Sequence, residues 1–241
     1  ADVGRRAGEK AAARIGARRM PTAEVPVIFD PRVAGGLLGH LTGAITGPAI
    51  ARGTSFLKDR LGDQLFAADI EIVDDPHRKR GLRSKPFDAE GIANSKRSIV
   101  KDGVLTTWLL DLASAKQLGL ETTGHAGRGT SGPPSPGPSN LYLTPGTLSP
   151  AELMADIEAG LYITSLMGMG VNGVTGDYSR GASGFWIENG EITFPVTELT
   201  IAGNLNQMFA GMSRANDLAF RFGTNSPTVR IDGLIVAGGG E

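Results

Sequence analysis

The chain has 241 residues, 40% of them hydrophobic and 20% charged, with a formal net charge of −1 and no cysteine. That balance describes a globular protein with a sizeable core, and it excludes disulfides, thiolate chemistry and cysteine-ligated zinc. It also gives no global electrostatic reason to expect a nucleic-acid or membrane partner.

In chain order, Ala7, Ala11 and Ile15 recur at helical spacing within residues 2–18, and Val25, Val27 and Phe29 alternate as a strand that Pro31 ends. Residues 32–50 read as a small-residue helix (GLLGHLTGAITG at its centre) carrying a lone His40. Residues 51–66 read as a loop or helix of mixed charge. Ile70 and Ile72 share one face of a short strand closed by Asp74-Asp75-Pro76, and a basic loop follows (Arg78, Lys79, Arg80, Arg83, Lys85). Residues 98–111 predict a hairpin turning at Lys101-Asp102-Gly103, with a helix next in LASAKQLGL. Residues 124–140, rich in Gly, Pro and Ser, predict a mobile loop. Residues 149–166 predict the clearest helix. Ser149 and Glu152 have capping-box spacing, Pro150 suits the first turn, and Leu153, Ile157 and Leu161 form a stripe. Residues 183–196 predict a hairpin about Asn189-Gly190, and residues 228–238 a second about Asp232-Gly233. Glycine is abundant, at 35 residues, and implies many turns and close backbone approaches. No apolar run nears the roughly 18–20 residues of a membrane span, and the basic N-terminus lacks the apolar stretch of a secretion signal. The expected fold is α+β and β-rich, with a mostly antiparallel, barrel-like or sandwich-like core and a few helices. The expected location is cytoplasmic.

The chemistry-bearing patterns are sparse. A zinc helix needs two ligands about one turn apart, and the helical neighbours of His40 are Gly36, Gly39, Gly43, Ala44 and Gly47. His77 and His125 sit in other loops. Asp74-Asp75-Pro76-His77 reads as a turn rather than a metal site. Gly181-Ala182-Ser183-Gly184 is a broken form of the nucleophile elbow. Gly168 to Gly173 matches G-x-G-x-x-G, but it follows an expected helix and precedes a hairpin, so the dinucleotide reading fails its context. The basic loop reads as a solvated surface, which makes a nucleic-acid partner unexpected. Asp177, Tyr178, Ser179 and Arg180 crowd four polar groups between glycine turns; they are the candidate cleft- or partner-facing residues, against a structural Asp–Arg pair in a turn.

The stretch VTGDYSRGASGFWIENGEITFPVTELTIAGNL (174–205) resembles the signature segment of the TldD/PmbA (TldE) family, long labelled modulators of DNA gyrase. VIFDPRVAGGLLGHLTGAI, TSFLKDRLGDQLF, VKDGVLTTWLLD and SNLYLTPG are similar to PmbA-type members as well. The resemblance implies a C-terminal β-rich domain over residues 21–241, with residues 1–20 as a connecting helix from a further N-terminal domain. It implies a metallopeptidase family of paired subunits that process or degrade peptides, in which one subunit holds zinc through an H-E-x-x-x-H helix and a downstream cysteine. Laid on this chain, the first ligand position is Gly39, the glutamate position is His40 and the second ligand position is Ala44, while the chain near its end reads Thr224-Asn225-Ser226-Pro227. The resemblance therefore implies a zinc-lacking subunit with no catalytic or metal-ligating residues. The zinc would lie only in a TldD-like partner. The expected partners are that paralogue or a second copy of this chain, and an extended peptide gripped by strand addition. The rival expectations are a self-sufficient peptidase using His40, His77 or His125, and a DNA-topology binding protein.

Overall fold

The computed structural model describes residues 2–239; Ala1 of the expected connecting helix and Gly240 and Glu241 of the expected β-rich domain lie outside the described residues. The first half runs α1 (Asp2–Ala12), β1 (Ala23–Phe29), α2 (Pro31–Ala44), α3 (Gly47–Ala51), β2 (Ile72–Asp74), β3 (Arg97–Lys101), β4 (Val104–Leu105) and α4 (Leu112–Leu118). The second runs β5 (Ala126–Gly127), β6 (Ser135–Pro136), β7 (Leu141–Leu143), α5 (Pro150–Met154), β8 (Ala159–Met167), β9 (Asp177–Glu188) and β10 (Glu191–Asn204). It ends with α6 (Leu205–Ala210), β11 (Met212–Arg214), β12 (Thr224–Asn225) and β13 (Val229–Gly238).

Five strands close a barrel in the order β1-β8-β9-β10-β13, with β13 returning to β1 and β11 added beside β13. Alternating directions cannot close on an odd number of strands, so one neighbouring pair has to be parallel. That pair is β1 and β8, joined from Val27↔Leu161 to Phe29↔Ile163; the other four joints are antiparallel. A second sheet has the order β12-β7-β2-β3-β4 and is antiparallel except at β12 and β7. The core is continuous from the barrel (Val27, Phe29, Leu161, Ile201, Ile231) through α2 (Leu37, Leu41) to the second sheet (Ile72, Ile99, Leu141). A smaller cluster of Ile28, Met154, Ile157 and Ile187 forms under α5.

Several local predictions hold. Asn189 and Gly190 both have positive φ, as a tight hairpin turn between β9 and β10 requires, and Asp102 and Gly103 do the same between β3 and β4. The capping box of Ser149 and Glu152 is present, and Asp111 and Ser114 form another at the start of α4.

Other predictions do not hold. The helix expected over residues 149–166 stops after Met154, and residues 159–167 are β8, wedged between β1 and β9. Gly160 marks the change: a Cβ there would crowd the backbone oxygen of Pro26 on β1. Asp232-Gly233 does not turn a hairpin. It lies inside the single strand β13, where Val25 faces Leu234 and Val27 faces Ile231, so two residues oppose Pro26. Proline has no N–H for a ladder, and a bulge opposite it removes the need for one. Residues 124–140, expected as a loop, carry the β5–β6 ladder, in which Ala126 pairs with Pro136. Residues 51–66, by contrast, are as expected of a loop or helix: the end of α3 followed by turns. Among the described residues no helix is long and apolar enough to cross a membrane.

Candidate functional site

The helix α2 is set by its first residues. The Asp30 side chain accepts from the Arg32 backbone N–H at 3.0 Å, Pro31 occupies the first turn, and Tyr162 donates to Asp30 at 3.2 Å. Ala34, Leu37, Leu38 and Leu41 face inward, and Ala44 is buried at the edge between the core and the open side. Gly36, Gly39 and Gly43 fall on the other face, and a Cβ on any of them would meet nothing within 4 Å. His40 lies on that open side, half-buried.

Strand β9 brings the second component. The segment expected to be a glycine-rich loop is already strand from Asp177, and strand alternation therefore splits the four candidate residues. Tyr178 and Arg180 point inward, whereas Asp177 and Ser179 are exposed. Asp177 does not pair with Arg180. Its carboxylate accepts from Thr175 at 2.6 Å and from Asn204 at 3.0 Å, and these hydrogen bonds hold it below the ordinary carboxylate range. Asp177 thereby anchors the loop 168–176 to β10. The same loop is laid against β9 by the Ser179 N–H donating to Gly170 O at 2.6 Å and the Asn172 N–H donating to Asp177 O at 2.9 Å. Gly170 is required there, since a Cβ would collide with the Ser179 carbonyl. The G-x-G-x-x-G match is thus a wall-forming loop between two strands, not the strand-to-helix turn of a dinucleotide site.

These pieces enclose a cleft of about 280 Å³. Its floor and sides come from α2 (Gly39, His40, Gly43, Ala44), the Thr54–Phe56 turn, the loop carrying Met169 and Val171, Arg180 of β9 and Leu205 of α6. The Phe56 N–H donates to Gly173 O at 2.9 Å and ties two of these walls together. The rings of His40 and Tyr178 meet edge to face at 5.8 Å. Burial, and secondarily the charge of Arg180, hold the His40 imidazole below its ordinary range. It is therefore neutral at neutral pH, with one N–H and one bare nitrogen. Tyr178 is 2% exposed, and burial pushes its phenol up to about 12. Its hydroxyl has no hydrogen-bond partner, and neither has the buried Nε of Arg180.

The three positions laid on the zinc helix thus do converge on a cleft, but with a donor set that does not fit zinc. Gly39 offers no side chain, Ala44 offers a methyl group, and the single imidazole of His40 shares the space with a guanidinium. His77 bonds Asn94 at 2.8 Å, and His125 is buried between Thr123 at 2.8 Å and Asp74 at 3.4 Å. Among the described residues no three His, Cys, Asp or Glu side chains gather where they could hold a metal. Thr224 and Asn225 form β12, a strand that packs against α2 rather than entering the cleft. Asp75 caps the His77 backbone N–H at 3.0 Å, the turn chemistry expected of it.

Residues 22–238 match the model of the PmbA/TldA metallopeptidase C-terminal domain. The chain belongs to the PmbA/TldD family. It is 43% identical over 237 residues to the metalloprotease PmbA of Escherichia coli O157:H7, a match covering 98% of this chain and 51% of that protein. Its structure is similar to that of a Thermotoga maritima protein described as a modulator of DNA gyrase. There the TM-score is 0.88 and the identity 34%, over 98% of this chain and 55% of the other. It is also similar to TldE from Thermococcus kodakarensis, with a TM-score of 0.86 and 26% identity over 97% and 55% of the two chains. The chain spans about half the length of the curated relatives it matches. Within the family fold, the liners Phe56, Met169, Val171 and Leu205 were not singled out from sequence. They lie on three separate segments, and each alone reads as an ordinary apolar residue.

Proposed function

We propose that this chain is the zinc-lacking member of a paired peptidase of the PmbA/TldD family. One observation carries the reading: α2 presents Gly39, His40 and Ala44 to the cleft where the family's metal helix would present two ligands and a base, and Arg180 stands in the same cleft. A guanidinium beside a ligand-poor pocket repels a divalent cation and binds anions instead. In this reading the chain supplies no catalytic group. It pairs with a paralogue bearing H-E-x-x-x-H, whose zinc performs hydrolysis, and it helps shape the path of a peptide. Pairing with a second copy of this chain is the alternative assembly.

The test is co-purification with an H-E-x-x-x-H paralogue from the same cell, with zinc measured on each species. The expected result is a complex that holds zinc and cleaves peptides, and an isolated chain with zinc well below stoichiometry. Stoichiometric zinc on the isolated chain, with peptide hydrolysis lost on adding a chelator and in His40→Ala, would establish the self-sufficient peptidase instead.

A further inference from the structure

The cleft holds a charged group with nothing to answer it. Among the described residues no carboxylate pairs with Arg180: the nearby Asp177 lies on the opposite face of β9 and uses its oxygens on Thr175 and Asn204. The guanidinium Nε is buried without a hydrogen-bond partner, and the hydroxyl of Tyr178, whose ring meets that of His40, is in the same state. A buried donor left unpaired costs stability unless something fills the role, and such costs gather at binding sites. The rest of the wall is apolar, with Phe56, Met169, Val171 and Leu205 around the open glycine face of α2. Met169 is 95% exposed at the rim. One cation in an apolar setting matches a single negative charge on an apolar body. A phosphate, with two charges and a strong hydration shell, would need more donors than the cleft has.

We infer that the cleft is a carboxylate-binding subsite, in which Arg180 takes the carboxylate, His40 lies within the same pocket as a second donor, and the apolar walls take the group next to it. The volume, about 280 Å³, suits one or two residues rather than a long chain. Two sources share this chemistry: the C-terminal end of a peptide and a free aliphatic acid. The inference goes beyond the pairing described above and does not depend on it, because it concerns what this chain binds by itself.

The experiment is calorimetric titration of the purified chain with three probes: N-acetyl-Ala-Leu as the free acid, the same dipeptide as its C-terminal amide, and hexanoate. The acid is expected to bind at least tenfold more tightly than the amide, and Arg180→Gln to lose roughly ten- to a hundredfold of that affinity, the range for one charge-assisted hydrogen-bonded pair. Gly43→Leu supplies an independent variant. Its side chain would enter the cleft from a position where a Cβ meets no neighbour, so it should abolish binding while the melting temperature is kept or raised. Tighter binding of the dipeptide acid than of hexanoate assigns the site to peptide ends; equal binding assigns it to free acids, and both uphold the subsite. Equal affinity for acid and amide, unchanged binding in Arg180→Gln, or no binding of any probe overturns it. None of these outcomes bears on whether a zinc-bearing paralogue co-purifies.

Discussion

Replacing Tyr178 with phenylalanine should make the protein more stable, a direction opposite to that of most core substitutions. The side chain is 2% exposed and its hydroxyl has no partner, so folding strips that group of water without return. An unpaired buried hydroxyl costs about 1–3 kcal/mol. Phenylalanine keeps the ring and therefore the edge-to-face contact with His40 at 5.8 Å, worth about 0.5–1.5 kcal/mol. No hydrogen bond is lost and no cavity larger than one oxygen is made. The expected gain is about 1 kcal/mol, which for a chain of this length raises the melting midpoint by about 2–4 °C. Urea unfolding reads the gain as a higher midpoint at unchanged slope. A Tyr178→Phe protein that is less stable than the parent would refute the reasoning, because it would show that the hydroxyl finds a partner in solution.

Two further outcomes test the site and the fold. The His40 imidazole is held below its ordinary range, so as pH falls through about 6.5 the unfolded chain takes up a proton that the folded chain resists. Stability should therefore be full above that pH and decline below it, levelling off once the folded imidazole is also protonated. His40→Gln should flatten this slope in melts between about pH 7.5 and 5, and an unchanged slope would assign the effect elsewhere. In the barrel, Gly184→Ala should destabilise by about 1–3 kcal/mol or more, because its Cβ would strike the Tyr162 carbonyl on β8. Gly39→Ala, facing open cleft on α2, should instead stabilise by up to about 1 kcal/mol; chemical denaturation of the pair tests the contrast.

What the amino-acid order determines without help is local. Asn189-Gly190 and Asp102-Gly103 specify tight turns because few other residues adopt two consecutive positive φ angles, and Ser149 with Glu152 starts a helix wherever the chain is placed. The resemblance to the PmbA/TldD family was legible too, since long motifs such as VTGDYSRGASGFWIENG carry it whatever the conformation. So was the absence of any ligand side chain at Gly39 and Ala44, the positions that the resemblance lays on a zinc helix. Where α5 should end was not legible. Leu153, Ile157 and Leu161 fit a helical stripe, and only the slot between β1 and β9 turns residues 159–167 into a strand. Nor could Asp232-Gly233 be told from a hairpin turn, because the proline that makes it a bulge is Pro26, some two hundred positions away on β1. The candidate site divides the same way. Tyr178 and Arg180 drew attention as a polar cluster, but burial and strand alternation separated them from Asp177 and Ser179 and set them beside His40, from a helix far earlier in the chain. Local backbone preference acts over a few residues and is written in sequence. A cleft whose walls come from five segments exists only once the barrel has closed.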